Sequence, residues 1–161
     1  MPMLINQYSF IIVSIASLII IGIFMWRVFN PALTISAMLV GILILTVVFI
    51  TMRREEATVS SLEDFNLALE SGPLFIDFYS DYWIGCLVAK PDVDRLEKEL
   101  KGKVKVIRLN IASDFGKQLK SNFKIGVVPG FVLVNAEGKE ILKRTGRVPT
   151  LQKITDLVDS N

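Results

Sequence analysis

The sequence predicts an α/β domain, a mixed sheet covered by helices, that follows a two-helix transmembrane hairpin. Of the 161 residues 52% are apolar, yet the first 52 contain a single charged side chain, Arg27. Two uncharged stretches in that segment, residues 8–26 and 32–52, have the length of about 20 residues that a helix needs to cross a bilayer. In the charged remainder, helical and strand-like patterns alternate, which is typical of a sheet covered by helices.

The predicted hairpin occupies residues 1–54. Asn30-Pro31 lies between the two apolar stretches, where proline suits a tight turn, and backbone inside lipid must satisfy its own hydrogen bonds as helix. A cleaved signal peptide is the alternative, but residues 1–7 carry no charged side chain. By the positive-inside rule, Arg53-Arg54 place the N-terminus and the charged part on the cytoplasmic side, although Arg27 in the loop weakens this prediction.

Small residues in the apolar stretches are candidates for close helix packing. Ser17 and Gly22 lie in the first stretch, and Ala37 and Gly41 form a small-xxx-small pair in the second. Such residues allow either the two helices to pack on each other or the hairpin to dock on another membrane protein. Both readings stay open. No charge lies inside either stretch, so a transport role is not indicated.

The charged part is predicted to be a short linker, 55–58, and one domain, 59–161. Ser60-Ser61-Leu62-Glu63 has the capping-box pattern and predicts a helix that ends at Gly72-Pro73. Residues 74–79 are a near-continuous apolar run, typical of a central strand buried on both faces. The elements predicted after it are a helix over 86–101 that contains Pro91, a strand over 104–109, a helix around Phe115, Leu119 and Phe123, strands over 131–135 and 139–145, and a last helix with Pro149 in its first turn.

Composition excludes several function classes. The chain has no histidine and one cysteine, Cys86, so neither an internal disulfide nor a cysteine-rich metal cluster is available. The soluble part has a charge near zero and no basic stripe, which argues against nucleic acid as a partner. We therefore expect no metal, no cofactor and no nucleic-acid ligand.

Several short segments resemble the thioredoxin family. Residues 76–86 read Ile-Asp-Phe-Tyr-Ser-Asp-Tyr-Trp-Ile-Gly-Cys, and Pro91 stands five residues beyond Cys86. Val128-Pro129, the turn at 135–139 and Gly146 follow in the family's order and at its intervals. The resemblance covers nearly all of the soluble part. It implies a thioredoxin-like fold, an active-site segment at 83–86 and a cis peptide bond before Pro129.

The resemblance breaks at the attacking cysteine. With Cys86 placed on the family's second cysteine, Trp83 stands where the family has the first, which is exposed at a helix N-terminus and attacks disulfides. An indole cannot attack a disulfide, and Cys86 has no partner thiol in this chain. The sequence therefore predicts a degenerate site that is more consistent with binding than with an enzyme.

The candidate site residues each have two readings. Cys86 is either a small buried residue or a single reactive thiol. Asp77 matches the family's buried aspartate, and a buried carboxylate needs a raised pKa or a partner such as Lys90. The residues interpreted as a partner-binding rim, with packing as the alternative, are Tyr82, Trp83, Ile84, Val128 and Pro129.

We interpret the chain as a redox-inactive, membrane-anchored thioredoxin-like protein. It is expected to be an accessory, structural or assembly subunit of a membrane protein complex, with integral membrane proteins and membrane lipid as partners. Respiratory and photosynthetic assemblies are candidate hosts by analogy alone. The alternatives are a single-thiol oxidoreductase or redox sensor that uses Cys86, and a tethered chaperone that holds extended peptides along the Val128 edge.

Overall fold

A computed structural model describes residues 9–52 and 59–160, which divide into a helical hairpin and a sheet-containing domain. The linker predicted at 55–58 and the Arg53-Arg54 pair lie outside the described residues, as do residues 1–8 and Asn161. The predicted domain boundaries therefore stay predictions.

The hairpin consists of α1, Ser9–Val28, and α2, Pro31–Met52. Both helices are long enough and apolar enough to cross a membrane. Asn30 Oδ1 accepts a hydrogen bond from the Ala32 N–H at 2.9 Å, so Asn30 caps α2. Pro31 is the first residue of α2 instead of part of the turn, because the first helical N–H has no acceptor within the helix and its loss costs nothing.

The predicted small residues divide between two faces of the hairpin. Gly22 is buried, and a Cβ built there would lie 3.1 Å from Met38 Sδ. A Cβ at Gly41 would lie 3.4 Å from Leu18 Cδ2. Gly22 and Gly41 therefore lie where α1 and α2 approach each other. The two other small residues, Ser17 and Ala37, are exposed.

The second unit has the predicted order of helices and strands around a mixed four-stranded sheet. Its elements are α3 Leu62–Glu70, β1 Leu74–Tyr79, α4 Ile84–Glu99, β2 Lys105–Asn110, α5 Asp114–Asn122, β3 Gly130–Val134, β4 Glu140–Thr145 and α6 Leu151–Asp159. The strand order is β2-β1-β3-β4. Among the described strands, β1 and β2 pair in parallel, while β1–β3 and β3–β4 are antiparallel. The predicted fold class is confirmed.

The start of α3 differs by one residue from the predicted capping box. Ser61 is the N-cap, and its hydroxyl accepts a hydrogen bond from the Asp64 N–H at 3.1 Å, while Asp64 Oδ2 accepts one from the Ser61 N–H. Asp64 Oδ2 also accepts bonds from the N–H and hydroxyl of Ser60. These hydrogen bonds, led by the Ser60 N–H, lower the pKa of Asp64 below 3.8. Glu63 therefore does not close the box.

Two helix ends also differ from prediction. The helix α4 begins at Ile84, two residues before the predicted start. Pro149 precedes α6 and is not in its first turn, because Thr150 keeps extended dihedral angles (φ −73°, ψ 149°) and helical geometry begins only at Leu151.

The core of the domain lies under α4 and α6. There Phe75 of β1 stacks on Phe131 of β3 with ring centroids 5.8 Å apart.

Candidate functional site

The carboxyl end of β1 and the amino end of β3 lie side by side. The antiparallel register sets Phe78 opposite Gly130. Pro129, the residue before Gly130, therefore lies at the same edge of the sheet as the residues that follow β1. The Val128-Pro129 peptide bond is cis, as the resemblance implied. The Gly146 N–H donates to the Pro129 carbonyl oxygen at 2.8 Å and holds the proline against the end of β4. Pro129 is therefore fixed at this edge of the sheet.

Cys86 lies in the first turn of α4 and faces the interior. Cys86 is 1% exposed, and the Ser80 N–H donates a hydrogen bond to Cys86 Sγ at 3.4 Å. The neighbouring Leu87 is buried as well. A reagent in solvent cannot reach the sulfur without separation of this helical turn from the end of β1.

Asp77 occupies the middle of β1 and is fully buried. It pairs with Arg108 on β2 and with Phe131 on β3 in the backbone register. Lys90, named from the sequence as a candidate partner for Asp77, forms a salt bridge with Asp94 Oδ2 at 2.8 Å. Lys90 therefore finds a carboxylate one turn along its own helix.

A charge network that the sequence did not predict connects α4 to β2. The Arg108 guanidinium, 17% exposed, contacts Asp94 Oδ1 at 2.7 Å and Glu97 Oε2 at 2.5 Å. Partial burial acts to raise the pKa of Asp94, but the hydrogen bond from Lys90 and the charge of Arg108 outweigh it and hold the pKa below 3.8. Asp94 and Glu97 therefore attach α4, the helix that carries Cys86, to the edge strand β2.

The residues interpreted as a rim are only partly at the surface. Tyr82 and Trp83 lie in the segment between β1 and α4, and Ile84 opens α4 and is exposed. Val128 and Pro129 are buried. The structure tests neither partner binding nor packing for these five residues.

Besides Ile84, four large apolar residues in the described part of the sheet domain are exposed and were not among the candidate site residues: Leu62 and Leu67 of α3, Val88 and Val127. Val127, next to Val128, and Val88, on α4, are 52% and 69% exposed. Val88 is two residues beyond Cys86, which is a rotation of about 200° around a helix. A prediction that Cys86 is buried therefore also predicts that Val88 lies on the outer face of α4.

Among the residues that the structure describes, no group of three or more His, Cys, Asp or Glu could hold a metal ion.

Comparisons with known proteins identify a family model and relatives that match the sheet domain. Residues 56–160 match the family model described as Thioredoxin. The chain is 31% identical over 96 residues to the Thioredoxin-like protein HCF164, chloroplastic, of Arabidopsis thaliana, covering 59% of this chain and 36% of that one. It is 30% identical over 95 residues to a Thiol:disulfide interchange protein TxlA homolog of Synechocystis, covering 56% and 53%. The chain thus spans about a third and about a half of the length of these relatives.

Solved thioredoxins share the fold at lower identity. A mutant thioredoxin from Halobacterium salinarum superposes with a TM-score of 0.52 at 20% identity, covering 63% of this chain and 86% of that one. Chloroplastic thioredoxin z gives 0.51 at 20% identity, covering 63% and 92%. The family model covers more than half of the residues, with the mixed sheet and the cis proline in place. The chain belongs to the thioredoxin family.

Proposed function

We propose that this protein is a membrane-anchored thioredoxin-like subunit that binds other proteins and performs no dithiol-disulfide exchange. The observation that carries the proposal is that the chain has a single cysteine and that this cysteine is buried. The chain has one cysteine, Cys86, which is 1% exposed, and Trp83 stands at the position of the attacking cysteine. A thioredoxin fold attached to two apolar helices is what supports an accessory, structural or assembly role.

Disulfide reduction needs two sulfurs with different tasks. An exposed thiolate attacks the substrate disulfide and forms a mixed disulfide, and a second thiolate then attacks that bond and releases the reduced substrate. With Cys86 alone, the second step has no nucleophile in the chain. The first step also requires Cys86, which is 1% exposed, to leave its buried position beside the Ser80 N–H.

Protein binding needs none of this chemistry. Val88 and Val127 present exposed apolar side chains on the domain, and such side chains gain free energy when a partner removes them from water. The exposed apolar surface of α1 and α2 suits lipid or the helices of an integral membrane protein. We place the domain and the N-terminus on the cytoplasmic side. The chloroplastic name of one relative makes photosynthetic complexes the first hosts to examine, with respiratory complexes second.

The first test is catalytic. The purified full chain in detergent is given insulin as disulfide substrate and dithiothreitol as reductant, beside a thioredoxin with both cysteines. We expect the rate with this chain to equal the rate with dithiothreitol alone. Turnover above that background would refute the redox-inactive proposal.

The second test is compositional. Gentle detergent extraction followed by identification of the co-purifying chains should recover this protein at fixed stoichiometry with integral membrane proteins. Presence during assembly only, and absence from the mature complex, would instead support the tethered chaperone. Labelling of a Ser160→Cys variant, in a Cys86→Ala background, from either side of sealed vesicles tests the cytoplasmic placement.

A single-thiol redox role is the second candidate, and the position of Cys86 favours it. Cys86 lies in the first turn of α4, where the helix dipole stabilises a thiolate. A thiolate there would attack a partner's disulfide, forming a mixed disulfide and releasing the partner's other sulfur as a thiolate, and that thiolate or a third thiol would have to resolve the mixed disulfide. A Cys86→Ser variant that still supports assembly of the host complex would contradict this role.

A further inference from the structure

An apolar groove runs along the hairpin between α1 and α2. It has a volume of about 400 Å³ and is lined by residues of both helices. Gly22 and Thr34 are buried within it, whereas Ile23 and Trp26 are exposed. Gly22, one of the lining residues, lets α1 and α2 approach each other there, because a Cβ at that position would lie 3.1 Å from Met38 Sδ.

The end of the groove nearest the hairpin loop carries a single positive charge. Arg27 lines the groove there, and it is the only charged residue among the described residues of the hairpin. Within residues 9–52 and 59–160, its guanidinium forms no ion pair. A cation at the edge of a bilayer is stabilised when it reaches the headgroup region, and a guanidinium matches the oxygens of a phosphate with two parallel hydrogen bonds.

The remaining groups of the groove suit a hydrocarbon chain. The Thr34 hydroxyl donates to the Asn30 carbonyl oxygen at 3.3 Å, so its proton already has an acceptor. Ile19, Ile23 and Ile35 supply apolar walls. Trp26, 62% exposed and adjacent to Arg27, is the side-chain type that favours the boundary between headgroups and hydrocarbon. One cation above an apolar trough matches a ligand with one anion above an apolar tail.

We propose that this groove binds one anionic phospholipid of the leaflet on the loop side, with its phosphate on Arg27 and an acyl chain along the groove beside Gly22. An acidic side chain of a partner protein could neutralise Arg27, but it would leave the trough beneath it empty. The proposal requires that the hairpin spans a bilayer. It is independent of the redox state of Cys86 and of any partner complex.

Trp26 supplies the probe. The chain has two tryptophans, so a Trp83→Phe variant of the full chain reports from Trp26 alone. It is reconstituted in phosphatidylcholine vesicles that contain a minor fraction of phosphatidylglycerol, with bromine on the acyl chains of one lipid or of the other. From the attraction of one arginine to an anionic headgroup, we expect phosphatidylglycerol to be enriched about five-fold beside Trp26 over its bulk fraction.

Three variants in the same background separate local binding from general charge. Arg27→Gln should abolish the enrichment, and Arg27→Lys should keep most of it. Lys153→Gln, on the exposed surface of α6, makes the same change in net charge and should leave the enrichment unaltered. Circular dichroism checks that each variant is helical.

Two results would overturn the lipid site alone, and a third would overturn it together with the membrane placement. One is quenching of the parent protein in proportion to the bulk lipid fractions, which decides the question even if Arg27→Gln does not fold. The other is an enrichment that survives in Arg27→Gln. Absence of quenching by either brominated lipid would refute the membrane placement and the lipid site together, and would leave the binding function of the sheet domain to its own tests.

Discussion

The accessibility of Cys86 decides between a binding protein and a redox protein, and its magnitude follows from the packing of α4. A reagent that reaches Sγ must lift the first turn of α4, which exposes Leu87, 3% exposed in the fold, together with the cysteine. Uncovering a leucine costs about 1.5–3 kcal/mol. Since about 1.4 kcal/mol is a factor of ten, Cys86 should react roughly ten to a hundred times more slowly in the native chain than in the unfolded chain.

The assay is the rate of modification by a maleimide, followed by mass spectrometry, in buffer and in denaturant. The matched control is a Val88→Cys, Cys86→Ala variant, because residue 88 is 69% exposed on the same helix. Its thiol should react about equally fast in the native and the unfolded chain. A native Cys86 that reacts as fast as the thiol at position 88 would refute the packing argument and favour the single-thiol redox role.

Three further predictions concern the site, the fold and its dependence on pH. Trp83→Cys places two cysteines three residues apart at the start of α4, and it should form an intrachain disulfide and give insulin reduction above background; if the disulfide forms without any turnover, Trp83 is not what removed the activity. Gly116→Ala directs a Cβ into the Asn110 carbonyl oxygen and should destabilise the domain by about 1–3 kcal/mol in urea unfolding, whereas Gly126→Ala meets open space and should be near neutral; equal effects would contradict the geometry. Because the pKa of Asp94 is below 3.8 in the fold, its ion pairs should stabilise the domain above that pH and cease to do so as the pH falls through the lowered pKa. The difference in urea midpoint between the parent and Asp94→Asn should therefore shrink in acid. A difference that is constant with pH would contradict the network.

The order of elements was predictable because periodicity and turn residues carry it. The apolar run of β1, the Gly72-Pro73 stop before it and the turn before β4 are local signals, and each matches an element of the structure. The predicted capping box was wrong by one residue because two overlapping patterns fit. Ser60 with Glu63 and Ser61 with Asp64 have the same spacing, and only the backbone angles of Ser61 select the second.

The charge network could not be predicted because it depends on register between distant segments. Arg108 reaches Asp94 and Glu97 only because β2 lies beside the helix that carries them, and nothing in the local sequence fixes that distance. The same limit applies to the small residues of the hairpin. Spacing identified Gly22, Gly41, Ser17 and Ala37 alike, but the rotation of each helix decides which of them are buried.

The hydroxyl groups of α2 limit how anything inside a bilayer could recognise this helix. Ser36 donates to the Ala32 carbonyl oxygen at 2.9 Å, Thr46 to Ile42 at 2.8 Å and Thr51 to Val48 at 3.0 Å. Each proton is thereby consumed by the helix's own backbone, so an approaching transmembrane segment meets no open donor from these three side chains. A neighbour in the hydrocarbon region could still donate to these hydroxyl oxygens, so a polar bond to any of the three must bring its proton from the partner, and the remaining contacts with α2 are between methyl and methylene groups.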